Sequence, residues 1–573
     1  MAAPVRDALN PARMLRFFPA ATLVFLLGPI LAGLLGTALP AFGFLPALGG
    51  EQLSLRPWEQ LFATPGLATS IRLSLTTGLI TTALALAIVV LFAAAWHGTA
   101  VFRWAQRLLS PLLSVPHVAV ALGFAFLLIP SGWLMRMFSP WATGYTRPPD
   151  YVLVQDPAGI SLILGLVIKE VPYLFLMVMA ALAQVDAERY RTVARTFGYG
   201  PMVAWLKAVF PRIYPQIRLP IFAVLAYGVS VVDVAMILGP TVPPPLSVQL
   251  MQWFNDADLA YRFVASAGAL LQFGLVIGAI AIWCFAERLV AYVGRRWIDA
   301  GSRGRSDGAI RAAAVIALAI AFIAILFSMA AMALWSVAER WRFPDAMPSV
   351  LTAANWLERT PDLWAIALTT LVIAVIAAIV ATILVVGNLE LETRRPEKIA
   401  QRSLWLLYVP LIVPQIAFLF GAQILLVWAS LDGGLLAVVW GHFLFVLPYV
   451  FLSLADPYRS WDVRFARTAL CLGASPRRVL FAVKLPMLLR AVLVAFAVGF
   501  AVSVAQYLPT LFAGAGRVST LTTEAVALSA GGDRRLIGVY AFLQMALPFL
   551  AFVLAAAVPA WMFRRRRDLQ VTT

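Results

Sequence analysis

Long apolar stretches alternate with short polar segments along almost the whole chain of 573 residues. Each stretch is long enough, at about 20 residues or more, for an α-helix to cross a hydrocarbon core of about 30 Å. We therefore predict about twelve membrane-spanning helices. Their approximate ranges are 17–39, 68–96, 110–129, 158–182, 216–238 and 264–290, followed by 312–336, 363–387, 404–428, 434–455, 490–512 and 536–563.

The composition agrees with a membrane protein built from helices. The chain is 62% hydrophobic and 12% charged, and its mean hydropathy is +0.88. A soluble domain carries about 25% charged residues, whereas a membrane β-barrel shows short segments of alternating polarity. The sequence therefore predicts an all-α polytopic membrane protein.

Positive charge is unevenly distributed among the polar segments. Most of the 44 Lys and Arg residues, including those of the two basic tails, lie in alternate segments counted from the N-terminus. Since basic residues near the ends of spans mark the cytoplasmic side, we predict that both termini are cytoplasmic. The same rule accounts for the net charge of +17 without a nucleic-acid partner.

Two of the polar segments predicted to be cytoplasmic, residues 184–214 and 456–489, share one pattern. The matched positions are Ala194 with Ala469, Gly198 with Gly473, Pro201 with Pro476 and Pro211 with Pro486. Glycine can adopt the positive φ that a tight turn requires, and proline suits the first turn of a helix. We predict a helix, a turn and a second short helix in each segment.

Apolar residues recur at helical spacing after each turn. They are Val203, Leu206 and Val209 in the first segment, and Val479, Ala482 and Val483 in the second. Such a stripe can enter a hydrophobic groove on a partner protein. For a single basic loop, docking and a role only in setting the membrane topology would be equally good interpretations. Two copies in register favour docking.

These segments resemble the cytoplasmic coupling loops of ABC importer permeases. The signature of that family runs Glu-Ala-Ala, three residues, Gly, about nine residues, an apolar residue, one more residue and Leu-Pro. Gly198 and Gly473 match its glycine, and Pro486 matches its final proline, as Pro211 does. The resemblance is closest to fused two-module permeases of the thiamine and ferric-iron importer type.

The resemblance implies that the chain is the transport subunit of an importer for a small solute in the bacterial inner membrane. The partners implied are the lipid bilayer, two copies of an ATPase subunit docked on the two loops, and an extracytoplasmic solute-binding protein. ATP and Mg would be bound by the ATPase, since this chain has no Gly-x-x-x-x-Gly-Lys-Ser/Thr phosphate loop. No enzymatic activity of its own is expected.

The two halves of the chain match beyond the loops. Short matches recur in the same order, among them Val115-Pro116 with Val413-Pro414, Gly123 with Gly421, Pro172-Tyr173 with Pro448-Tyr449 and Leu271-Gln272 with Leu543-Gln544. We predict a first module of six spans at 1–290, a cytoplasmic linker at 291–311 and a second module at 312–573. An even number of spans precedes the second module, which makes the repeat parallel and places a pathway between the halves.

Polar residues inside the predicted spans are candidates for that pathway. They are Glu170 in the fourth span, Ser230 and Asp233 in the fifth, and Ser503, Gln506 and Tyr507 in the eleventh. Residues three apart share a helix face, and a charge at membrane depth usually faces a bundle interior or a cavity. Asp233 would serve equally well in a structural hydrogen bond. Since Lys169 and Glu170 are adjacent, only one of them is expected to point inward.

Other functions are less well supported by the residues. A twelve-helix secondary transporter driven by an ion gradient would share the span count and the symmetry, but it has no need of a duplicated loop. No cluster of catalytic residues stands out, and Cys284 and Cys471 indicate neither a disulfide nor a metal site. His117, Gln415 and His442 are isolated in the sequence. For His117 and Gln415, just after the paired prolines, this favours helix packing over ligand binding.

Overall fold

A computed structural model describes residues 11–304, 307–394 and 401–564. Arg6 and the arginines at 565–567, on which part of the predicted topology rests, lie outside these ranges. In the first part of the chain the helices are α1 Pro11–Ala41, α2 Arg56–Ala63, α3 Leu67–Trp96, α4 Ala100–Ser114, α5 His117–Leu128, α6 Trp133–Phe138, α7 Ile160–Ala183, α8 Ala187–Thr196, α9 Pro201–Ala208, α10 Phe210–Ser230, α11 Asp233–Leu238, α12 Leu246–Phe254 and α13 Tyr261–Asp299, with a 3₁₀ turn at Pro46–Leu48.

The second part of the chain is also mainly helical. Its helices are α14 Gly308–Val337, α15 Ala354–Leu357, α16 Leu363–Arg394, α17 Gln401–Ile412, α18 Gln415–Trp428, α19 Leu435–Arg459, α20 Val463–Cys471, α21 Pro476–Val479, α22 Leu485–Met487, α23 Leu489–Val504, α24 Leu508–Gly514, α25 Leu521–Ser529 and α26 Arg534–Met562. A π-helical turn at Leu480–Lys484 joins α21 to α22. Strands β1 Ala338–Arg340 and β2 Val350–Leu351 form a small antiparallel pair that the helical pattern did not predict.

The described residues confirm an all-α polytopic membrane protein. Nine helices are long and apolar enough to cross a membrane, and the count rises to eleven if each of two sharply bent helix pairs is one crossing. The figure of twelve stays a prediction. Helix α10, in the block predicted as the fifth span, is not among these helices, and its first half carries Arg212 and Arg218.

Four of the predicted continuous spans are interrupted. Prolines interrupt two of them, at Pro116 between α4 and α5 and at Pro414 between α17 and α18, where the helix axis bends by 98°. Proline removes a backbone donor and disfavours the helical conformation of the residue before it. The other two breaks follow Ser230 and Val504. No proline lies at the first of them, whereas Pro509 stands in the first turn of α24, just after the second.

Side chains satisfy the backbone carbonyls that these last two breaks release. In the first half Gln272 Nε2 donates to the Val229 carbonyl at 2.9 Å, and Ser247 Oγ donates to the Val231 carbonyl at 2.6 Å. In the second half the Thr522 hydroxyl donates to the Val504 carbonyl. Irregular backbone at membrane depth is tolerated only with such partners, so the two breaks are built features of the fold.

The first helix of each half packs against the other half. Helix α1 crosses α18 so closely that Cα of Gly421 would lie 2.9 Å from a Cβ placed on Gly36, and the Gly421 amide donates to Thr37 Oγ1 at 3.1 Å. Helix α14 crosses α5 at Gly123, where an added Cβ would meet the Ser328 carbonyl at 2.5 Å. Small residues allow such crossings between membrane helices. The two sequence halves are therefore interlocked in space.

Most of the predicted linker is helical. Helix α13 continues to Asp299 and α14 begins at Gly308, with residues 305 and 306 outside the described ranges. Residues 300–304 are not helical, and Ser302, Arg303 and Gly304 contact the segment at 184–214.

Candidate functional site: two loops and an intramembrane polar cluster

Both repeated segments form the predicted helix, turn and short helix. In the first loop, residues 184–214, Asp186 caps α8 by accepting from the Arg189 amide at 3.2 Å, and Pro201 begins α9. In the second loop, residues 456–489, Asp462 caps α20 and Pro476 begins α21. The glycines between the helices have φ of 83° at Gly198 and 81° at Gly473. This left-handed conformation is the reason that both turns need glycine.

The predicted apolar stripe does not face outward as a whole. Val209 is fully buried and Val479 almost so, and Leu206 packs against the larger apolar core. The reason is that α9 contacts α3 and α10 within the chain itself. This part of the docking prediction is therefore wrong, although Ala482 is exposed.

Other apolar residues are exposed in each loop, and the most exposed large one of each loop stands beside the turn. Phe197 and Leu472 directly precede the two turn glycines, and they are 66% and 83% exposed. They stand at matching positions in the two copies, so the sequence itself carries this signal. Of the other loop positions singled out from the sequence, Pro201, Pro211 and Pro476 are exposed, while Ala194, Ala469, Val483 and Pro486 are half-buried.

The first loop is held by the linker. The Gly200 amide donates to the Arg303 carbonyl at 2.9 Å, and Lys207 Nζ donates to the carbonyls of Trp297 at 2.9 Å and Ser302 at 3.0 Å. In the second loop, by contrast, no described atom lies within 4 Å of a Cβ placed on Gly473. The two loops thus share a backbone conformation, but only the turn of the first loop is held by contacts with the linker.

The second loop is anchored by a buried ionic network instead. Lys484 Nζ lies 3.1 Å from Glu390 Oε2 on α16, and the Tyr458 hydroxyl donates to the same oxygen at 2.7 Å. Arg394 completes the network at 2.9 Å from Glu390 Oε1. Val209 stands at the position of Lys484 in the first loop, where packing is apolar. Residue-by-residue matching of the loops could not show Glu390, which is 94 residues from Lys484.

The candidate pathway residues lie at two different kinds of position. Asp233 begins α11 and accepts from the Val234 amide at 2.9 Å, whereas Ser230 ends α10 and donates to the Ala226 carbonyl at 2.7 Å. Because the helix breaks between them, they do not share one continuous helix face. In the second half the break separates Ser503 from Tyr507 in the same way, with Gln506 in the break itself.

The second-half residues have partners within the chain. Ser503 Oγ lies 2.7 Å from His442 Nδ1, and His442 Nε2 lies 2.8 Å from Thr510 Oγ1. The Tyr507 hydroxyl is 3.8 Å from Met236 Sδ in the first half. Ser503 is therefore part of a buried hydrogen-bonded group, whereas Tyr507 lies where the two halves meet.

The fourth span carries two buried charges. Glu170 Oε1 lies 3.2 Å from His117 Nε2, and Lys169 Nζ donates to the Leu112 carbonyl at 3.3 Å and the Leu113 carbonyl at 3.4 Å. The expectation that only one of them points inward is wrong, because other helices cover α7 on more than one side. His117 is likewise not isolated, since its ring also lies 5.0 Å from that of Tyr227.

Comparison with known proteins identifies the family. No family model matches the chain. The inner membrane ABC transporter permease protein YnjC of Escherichia coli (strain K12) is 34% identical over 551 residues, which cover 96% of this chain and 98% of that protein. The chain belongs to the ABC transporter permeases.

As a permease of this family the chain is a transport subunit and not itself an enzyme, and proteins of this family work with an ATPase partner. The relative is an inner membrane protein, in agreement with the apolar helices of this permease. Family membership also favours the ABC transporter hypothesis over the ion-coupled secondary transporter.

Proposed function

We propose that this permease is the membrane subunit of an ATP-driven importer for a small solute, of the kind that thiamine and ferric-iron importers carry. Two copies of an ATPase subunit dock on residues 184–214 and 456–489, and they bind the ATP and Mg. An extracytoplasmic solute-binding protein delivers the solute, which crosses the membrane between the two halves. Both loops and both termini lie on the cytoplasmic side.

The observation that carries this proposal is the pair of matching loop surfaces. Each loop presents a large exposed apolar side chain, Phe197 or Leu472, beside a turn that glycine fixes. Exposed apolar groups that recur in this way are typical of an interaction site, and a groove on a partner would bury them. Two similar surfaces on one chain suit two copies of the same partner.

The loops are connected directly to the breaks at membrane depth. Helix α10 leaves the first loop at Phe210 and ends at Ser230, and α23 leaves the second loop and ends at Val504. A helix of 21 residues is about 30 Å long. Movement of a docked loop would therefore be transmitted along α10 toward Asp233 in one half and along α23 toward Gln506 in the other.

Copurification tests the proposal. The tagged permease, purified from membranes of its host, should retain two ATPase subunits per chain, counted by native mass spectrometry. The double variant Phe197→Asp with Leu472→Asp should lose them, because each aspartate would place a charge in an apolar groove. Val152→Asp is the matched control, since Val152 is exposed outside both loops. Retention of the ATPase by the double variant, or its absence from the wild type, would contradict the proposal.

The location of the loops can be tested by cysteine labelling in intact cells. Cys471 is an exposed natural reporter in the second loop, and Thr196→Cys in a Cys471→Ser background reports on the exposed end of α8. Neither thiol should react with a membrane-impermeant maleimide until the membrane is permeabilised. Val152→Cys, in a segment predicted to be outside, should react at once. Labelling of Cys471 from outside would reverse the assigned topology.

A further inference from the structure

The linker between the two modules packs backbone to backbone against the first loop. The Gly200 amide donates to the Arg303 carbonyl at 2.9 Å, and a Cβ placed on Gly200 would collide with the carbonyl oxygen of Gly304. A Cβ placed on Gly304 would in turn lie 2.5 Å from Cγ2 of Val203, and the φ of Gly304 is 49°. Glycine alone adopts such a conformation at such close range without strain, so this contact requires glycine on both of its sides.

Lys207 holds the linker at a second point. Its Nζ donates to the carbonyls of Trp297 at 2.9 Å and Ser302 at 3.0 Å, and it lies 4.4 Å from the centre of the Trp297 ring. The carbonyl of Trp297 is among the last four of α13, which lack partners within their own helix. In the second loop the matched residue is Ala482, which is exposed. The lysine is thus a feature of the loop that the linker touches.

The linker also supplies a positive charge beside the first turn. Arg303 is exposed, and its Nε and Nη1 lie 3.7 Å from a Cβ placed on Gly198, next to the exposed Phe197. The second loop carries exposed arginines of its own, Arg477 and Arg478, in the helix after its turn. Apolar residues stand at those two positions in the first loop. An arginine and an exposed apolar side chain therefore occur together in both places, although different segments of the chain supply them.

We propose that residues 297–304 are part of the first docking site, and that this site binds its ATPase copy more tightly than the second loop does. The inference rests on the proposed function, because the ATPase is the occupant. A linker that holds the turn in its bound conformation lowers the ordering cost of docking. The turn at Gly473 has no such support, since no described atom lies within 4 Å of a Cβ placed there.

Charge points to the same occupant for the linker. If copies of one subunit dock on both loops, an acidic patch on that subunit that receives Arg477 and Arg478 at one loop meets Arg303 at the other. Complementary charges of this kind steer association and fix the register of an interface. The two docking sites are thus similar in chemistry and unequal in affinity, so the first loop is occupied first.

The test measures each site alone, with the ATPase that copurifies with the wild-type permease as the probe. Leu472→Asp leaves only the first site, and Phe197→Asp leaves only the second. With the full chain in lipid nanodiscs, the Kd of the ATPase should be about tenfold lower for the first site, which is the effect of one ordered contact. Equal affinities, or a tighter second site, would overturn the proposal.

Linker variants show whether the linker is the cause. Gly304→Val, Lys207→Met and Arg303→Glu should each weaken the first site about tenfold and leave the second site unchanged. A general folding defect would weaken both sites. Arg295→Glu is the matched charge control, because Arg295 is exposed on α13 and makes none of the contacts described above. If neither Gly304→Val nor Lys207→Met weakens the first site, or if Arg295→Glu weakens it as much as Arg303→Glu does, the proposal is wrong.

A crosslink distinguishes a linker that supports docking from one that obstructs it. A Cβ placed on Gly304 lies 3.6 Å from Cβ of Val203, a separation that a disulfide can bridge. Val203→Cys with Gly304→Cys, in the Leu472→Asp variant without its natural cysteines, should form this bond on oxidation. The oxidised chain should still bind the ATPase. Absence of the crosslink, or loss of binding that reduction restores, would overturn the proposal.

Failure of this proposal and failure of the proposed function give different results. A wild-type permease that retains no ATPase contradicts both. Two retained copies with equal affinities, or with affinities that the linker variants do not change, contradict only the role of the linker and leave the importer proposal in place.

Discussion

Valine at Gly473 should uncouple ATP hydrolysis from transport. The turn holds φ at 81°, a conformation that costs about 1–3 kcal/mol for residues other than glycine. Coupling between distant sites is itself typically worth only about 1–3 kcal/mol, or about 5- to 150-fold. Since no described atom lies within 4 Å of a Cβ placed there, the turn is free to rearrange and would carry Leu472 out of the docking position.

Gly198→Val should be less harmful than Gly473→Val. Its φ of 83° imposes the same strain, but the bond from Gly200 to Arg303 and the contacts of Lys207 hold the first turn in place. The measurements are solute uptake and ATPase activity of the assembled complex in vesicles, together with ATPase retention. If both variants keep full coupling and full ATPase association, the docking role of the loops is wrong.

Gly274→Val provides the control for these two variants. Gly274 lies in α13, and a Cβ placed there meets no described atom within 4 Å. Its backbone is helical, so valine introduces no left-handed strain, and valine is slightly better than glycine within a helix. Uptake and ATPase activity should both stay at the wild-type level. A loss equal to that of Gly473→Val would mean that any added bulk on a glycine is harmful.

Loss of Glu390 should destabilise the anchor of the second loop more than any surface ion pair does. Removing one partner of a buried ion pair costs about 3–5 kcal/mol, because the other charge is left buried without compensation. In Glu390→Leu the buried Lys484 would keep the Thr393 hydroxyl, at 3.2 Å, and the rings of Tyr458 and Trp461, none of which carries a negative charge. The expected result is a clear fall in the thermal unfolding temperature and in ATPase association.

The double variant Glu390→Leu with Lys484→Met separates charge from packing. It removes both buried charges at once, and well-packed apolar replacements of buried ion pairs are often neutral. Its unfolding temperature should therefore lie closer to the wild type than that of Glu390→Leu alone. Glu392→Gln is the control, because the pair of Glu392 with Arg459 is partly exposed and worth about 0–1 kcal/mol. If the double variant is less stable than Glu390→Leu, the uncompensated charge of Lys484 is not the cause of the lost stability.

Several features of the molecule followed from the sequence because they depend on local chemistry. The apolar blocks predicted membrane helices, since the length of a span is fixed by the thickness of the bilayer. The glycines at Gly198 and Gly473 predicted two turns, since glycine adopts positive φ without strain. Pro116 and Pro414 mark two of the helix breaks, but proline also occurs inside continuous membrane helices, so the apolar blocks at 110–129 and 404–428 predicted unbroken spans.

Other features depended on which helices are neighbours. The stripe of Val203, Leu206 and Val209 has the same spacing whether it faces a partner or the chain itself, and only the packing of α9 on α3 and α10 decided between the two. The break after Ser230 has no proline, and Pro509 follows the break after Val504 only within the next helix. The groups that satisfy both breaks come from other helices. No periodicity in α10 or α23 could have shown them.

By itself the sequence determined the class of protein, the approximate extent of its helices and the form of its two loops. These features follow from the length of the apolar segments and from backbone strain at the turns, and both act within a single segment. Only the tertiary structure decided that α1 and α14 each pack against the opposite half. It also decided that His117 pairs with Glu170 and that Glu390 anchors Lys484. An apolar helix face packs about equally well against lipid and against another apolar helix face. The apolar pattern therefore does not specify which helices are neighbours, and only the assembled bundle fixes which polar side chains meet.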